Sequence, residues 1–91
     1  MPLAKDIQDY LKSQIDYYVE EAASYRQIAE GYVPEIDSVT DMAFGIITGC
    51  TYLAFLQAFQ SRGASPSSED VAEFNRIVKS RSFEIRKALK S

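Results

Sequence analysis

The residues best suited to chemistry lie toward the C-terminal end, where Arg76, Lys79, Arg86, Lys87 and Lys90 gather along one helical stretch with Phe83 among them. Clustered cations with an aromatic can hold phosphates and stack on a base, which makes this face a candidate anion or nucleic-acid contact. The charge balance qualifies it. Residues 76–91 carry six bases against Glu84 alone, a net of +5, whereas residues 1–41 carry nine acids against three bases, a net of −6. The chain as a whole is acidic, at −3 with a pI near 4.8. A nucleic-acid role therefore ranks below pairing of the basic stretch with the acidic first part of this chain or a neighbour.

Other chemistries lack their residues. There is no histidine and a single cysteine, Cys50, so a His-based triad, a Cys–His pair and an internal disulfide are excluded. A His/Cys metal site within one chain is excluded with them. Asp16 and Glu20 stand four residues apart, but no acid lies between Asp41 and Gly63, so carboxylates from two helices have no means of converging on a cation there. These acids read as a solvated face. Glu21 is the one acid placed where partial burial beside Tyr18 and Tyr25 would suit general acid or base work. It more simply meets a basic side chain and sets register. A non-enzymatic chain without metal or cofactor is the expectation.

Aromatic residues point instead to binding. Tyr18, Tyr25 and Tyr32 recur every seven residues on the side expected to be buried, with Tyr10 and Tyr17 in a second line at its margin. Such rings bury well while their hydroxyls reach the rim, as interface aromatics do. Phe83 falls off the apolar stripe of its helix and should be exposed. Tyr10, Tyr17 and Phe83 are thus the candidate surface for a protein partner.

The elements that must position these residues are three expected helices, near 3–30, 37–62 and 67–90, in a single domain covering 1–91. Two breaks separate them, Gly31-Tyr32-Val33-Pro34 and Arg62-Gly63-Ala64-Ser65-Pro66-Ser67. Ser38 followed by Asp41 marks the start of the second helix, and Ser65 or Ser67 can cap the third. The first helix has an apolar stripe of Leu3, Ile7, Leu11, Ile15, Tyr18, Ala22, Tyr25 and Ala29. The third has a thinner one, Val71, Phe74, Val78, Ile85 and Leu89, with Arg81 and Ser82 where another apolar residue belongs.

The middle helix differs from both. From Met42 to Ser61 it carries no charge. Met42, Ile46, Cys50 and Leu53 line one side and Gly45, Gly49, Tyr52, Leu56 and Phe59 another, with Phe44, Ile47, Ala54 and Phe55 filling the gaps. A helix apolar all round must be covered all round, which two neighbours cannot achieve. The expectation is a three-helix hairpin or bundle completed by homodimerisation through Gly45, Gly49, Tyr52, Phe55, Leu56 and Phe59. The glycines would either allow close helix contact or accommodate rings of the same chain. A membrane span is the weaker alternative: the length and the Gly45-x-x-x-Gly49 spacing suit it, but Thr48, Thr51, Gln57 and Gln60 interrupt the run and no basic cluster flanks it.

The opening residues turn polar at once, without the apolar run of a secretory leader. With so little cysteine, a cytoplasmic location is expected. The function expected from all this is an assembly or regulatory module acting by self-association and protein binding.

Overall fold

The computed structural model describes residues 3–90, which form five α-helices with no strand among the described residues. In chain order these are α1 (Lys5–Glu20), α2 (Ala22–Glu30), α3 (Val39–Gln60), α4 (Ser68–Ser80) and α5 (Ser82–Lys90). The expected all-helical class is the observed one. The expectation of three continuous helices is corrected at two places. The first stretch is interrupted at Glu21 and the third at Arg81, where the backbone moves to φ −96°, ψ 19° and φ −106°, ψ 3°.

Each interruption has a physical setting. Leu3, Ile7, Leu11 and Ile15 are buried at intervals of four, a spacing that rotates a stripe by about 40° per step on a 3.6-residue helix. The joint at Glu21 resets the direction, so that Ala22 and Ala29 are buried on α2 and this short helix lies close against α3. Arg81 stands where the stripe of Phe74, Ile77 and Val78 would continue to Ile85 and Leu89. The helix breaks where its guanidinium turns aside, donating to Asp16 at 2.6 Å and to Glu84 at 2.7 Å.

Caps define the remaining ends. Ser38 Oγ accepts from the Asp41 N–H at 3.0 Å and opens α3. Ser67, not Ser65, opens α4 through a capping box, its Oγ accepting from the Asp70 N–H while the Asp70 carboxylate accepts from the Ser67 N–H. Gly63 closes the turn after α3 with φ +68°, a conformation glycine adopts without a steric cost.

Long-range polar contacts show how the elements run. Arg62, just after α3, pairs with Asp6 at the start of α1, and Arg86 on α5 donates to Asp41 in the first turn of α3 at 2.7 Å. Thus α3 runs antiparallel to the segments on either side of it. Arg81 with Asp16, and Arg26 Nη1 donating to the Leu89 carbonyl at 3.4 Å, align α4 and α5 with α1 and α2. The body measures 40 × 22 × 19 Å. Its core joins Leu11 and Ile15 of α1, Ile47 and Phe55 of α3, Phe74 of α4, and Ile85 and Leu89 of α5.

The ion pairs make a prediction about acid stability. Arg86 hydrogen-bonds Asp41 and Arg81 hydrogen-bonds Glu84, and each guanidinium holds its carboxyl below the usual carboxylate range. A depressed folded pKa contributes stability that is present above the unfolded value and is lost as pH falls through the folded one. The thermal midpoint should therefore drop as pH falls from about 4 toward 2, and Arg81→Met should flatten that dependence. Circular-dichroism melts across this range check it.

Candidate functional site

The middle helix has no charge to choose its own buried side, so its neighbours choose. Ala43, Ile47, Thr51, Ala54 and Phe55 face α1, α2, α4 and α5 and are buried. The Thr51 hydroxyl donates to the Ile47 carbonyl at 2.8 Å, which satisfies it in the apolar interior. The other side of α3 is left uncovered. Gly45, Gly49, Leu53 and Gln57 are exposed in succession, four residues apart, with Met42, Ile46 and Leu56 half-buried beside them. Leu53 keeps 56% of its surface in solvent, high for a leucine in the interior of a 22-residue helix.

The two glycines are the informative positions on this face. A Cβ placed on Gly45 or Gly49 meets no atom within 4 Å. They therefore do not make room for aromatic rings of the same chain. Each still costs about 0.8–1 kcal/mol of helix stability relative to alanine. Gly45→Ala should accordingly raise the stability of the folded chain by about 1 kcal/mol, read from urea unfolding of a dilute sample.

The six residues expected at a self-association surface divide between two faces. Gly45 and Gly49 lie on the open face, with half-buried Leu56 at its edge. Phe55 does not: it is fully buried, its ring 4.9 Å from Phe74 and 5.2 Å from Phe59. Tyr52 and Phe59 are half-buried against that same aromatic cluster, Tyr52 edge-on to Phe74 at 5.2 Å. Leu53, which was not among the six, stands on the open face instead. Its four-residue step from Gly49 was visible in the sequence.

The tyrosines separate in a similar way. Tyr18 and Tyr25 are half-buried and meet edge-to-face at 5.2 Å, and Tyr17 adds a third ring against Tyr18 at the same distance. Burial pushes the Tyr18 hydroxyl above its ordinary value, and the neighbouring Cys50 thiol adds to the rise. Tyr32 leaves this line because α2 ends at Glu30, and it stands half in solvent. Tyr10 and Tyr17 are exposed as expected. Tyr10 also lines a shallow groove of about 340 Å³ with Asp6, Ile7, Gln57, Ala58 and Arg62, between the start of α1 and the end of α3. Glu21, the acid considered for proton transfer, is exposed at the joint of α1 and α2.

Only part of the basic stretch comes together. Arg86, Lys87 and Lys90 surround Phe83 in an open groove of about 470 Å³, and Phe83 is 79% exposed. Lys79 precedes Phe83 across the Arg81 break. Arg76 belongs to α4 and is held by Glu73 through two hydrogen bonds, outside the residues that line this groove. Among the described residues no group of three or more acids or thiols is placed to hold a metal ion. By length and composition α3 is apolar enough to cross a membrane.

Compared with protein-family models, curated proteins and solved structures, the chain shows no significant match to any of them.

Proposed function

We propose that this chain is a non-enzymatic, cytoplasmic helical module that forms a homodimer through the outer face of α3 and presents its remaining surface to other proteins. In this reading α1 with α2, α3, and α4 with α5 are the three legs of a bundle that a second copy completes. The observation that carries it is the uncovered apolar strip of Gly45, Gly49 and Leu53, with Met42, Ile46 and Leu56 beside it. Glycines cost helix stability, and here no contact within the chain offsets that cost. Two copies of α3 crossing at Gly45 and Gly49 would gain from the close approach of their backbones and bury Leu53 on its counterpart. Apolar side chains buried in this way contribute about 1.5–3 kcal/mol each.

A contact with twofold symmetry places residues near the axis opposite themselves. In a Cys50→Ser/Leu53→Cys variant, mild oxidation should link two chains. In a Cys50→Ser/Lys12→Cys variant, whose thiol stands on the exposed side of α1, it should not. Equal cross-linking of the two variants would remove this reading. A second reading rests on the same strip: as a membrane span, α3 would turn it to lipid. Its length and lack of charge favour that reading, and extraction of the chain into detergent-free buffer would count against it.

A further inference from the structure

Two exposed patches at one end of the molecule complement each other in both charge and apolarity. The first is the groove on α5, where Phe83 projects among Arg86, Lys87 and Lys90. The second is the end of α2 and the connection to α3. There Ile28, Tyr32 and Val33 are 49%, 50% and 55% exposed, interleaved with the exposed acids Glu30, Glu35 and Asp37. The Arg26 contact with the Leu89 carbonyl puts the ends of α2 and α5 side by side, so both patches occupy the same end. Phe83 on the first patch and Ile28, Tyr32 and Val33 on the second all stay exposed.

We infer that the 28–37 segment of one copy docks in the Phe83 groove of a second copy, its apolar side chains against the Phe83 ring and its carboxylates against the surrounding cations. A groove of about 470 Å³ has room for an aromatic side chain such as Tyr32. A nucleic acid fits this end less well. Arg86 already pairs with Asp41, and the chain carries a net −3, which disfavours a long phosphate backbone. The acidic segment that the groove needs is present on every copy. Because each copy offers one segment and one groove, and both are separate from the outer face of α3, the contact extends assembly beyond a pair.

Charge makes the contact salt-sensitive, since the screening length falls from about 30 Å at 0.01 M to about 3 Å at 1 M salt. Sedimentation velocity of the full chain should show a larger mass at about 0.02 M salt than at about 0.5 M. The high-salt mass reports the α3 contact separately, so failure of either contact is read independently. Glu35→Lys/Asp37→Lys and Lys87→Glu/Lys90→Glu should each abolish the low-salt gain while leaving helical circular dichroism unchanged. A one-to-one mixture of these variants should restore it, because each swapped patch then meets its complement. Lys5→Glu/Lys12→Glu, of the same net charge as the second variant but altered on α1, should keep the low-salt gain on its own, which separates this contact from an effect of net charge. Phe83→Ala should weaken the low-salt association about tenfold or more, as loss of a central aromatic does. A wild-type mass independent of salt, swapped variants that keep the low-salt gain, or a mixture that fails to recover it would overturn the inference.

Discussion

Phe55→Ala should cost about 3–5 kcal/mol of stability, the range for removing a buried aromatic ring from a core that relaxes only in part. The ring has no exposed surface and sits within 5.8 Å of three others, those of Tyr52, Phe59 and Phe74, so it ties α3 to α4 at one point. A single domain has about 5–15 kcal/mol of net stability, and the loss takes this small one close to unfolding. Urea titration followed by circular dichroism should show the midpoint falling sharply or the native baseline disappearing. Leu53→Ala, two residues away on the same helix, should cost the monomer far less because Leu53 lies outside the core with more than half of its surface in solvent. If the two substitutions cost the same, the assignment of faces on α3 is wrong.

Gly49→Leu should act in the opposite way, sparing the fold and breaking the assembly. The Cβ position at Gly49 is open, so the new side chain starts in free space and the substitution removes a weak helix former. Across a twofold contact the same side chain appears twice, and two leucines at the point of closest approach hold the helices apart. Overpacking costs about 1–3 kcal/mol per site, so the doubled substitution should weaken the dimer by about 10²-fold or more. Leu53→Glu should do the same by placing a charge in each half of an apolar contact. Both variants should keep their helical signal, which separates loss of assembly from loss of fold. A Gly49→Leu chain that still dimerises at wild-type affinity would move the contact elsewhere.

Much of the fold was legible because local chemistry and tertiary packing agree. Ser38 with Asp41, and Ser67 as one of the two serines offered, mark helix starts that the backbone follows, and every stripe residue expected on the first stretch is buried or half-buried. The joints at Glu21 and Arg81 were harder to read. An apolar stripe of threes and fours continues through Glu21 without a glycine or proline to mark it. Arg81 did interrupt its stripe, yet only the distant Asp16 gives the arginine a reason to be there.

The middle helix shows a different limit. Its lack of charge raised the expectation of a cover from outside the chain, but a sequence apolar on all sides carries no period from which to read the open side. Phe55 and Leu53 are equally plausible outward residues until α4 is placed. Once Phe74 is against Phe55, Leu53 is the one left outside. Likewise, the helix end near residue 30 was legible, but not that Tyr32 and Val33 beyond it turn away from the core, nor that Ile28 faces solvent from α2 itself.

The central claim is that the outer face of α3 is covered by a second copy of the same chain. Light scattering on a sizing column, with detergent-free protein in about 0.5 M salt to suppress charge-driven contacts, tests it most directly. A mass near twice 10.2 kDa that holds on dilution, and falls to 10.2 kDa for Gly49→Leu, is the predicted result. A monomer at every concentration would contradict the claim and leave the Gly45, Gly49 and Leu53 strip to a partner of another kind.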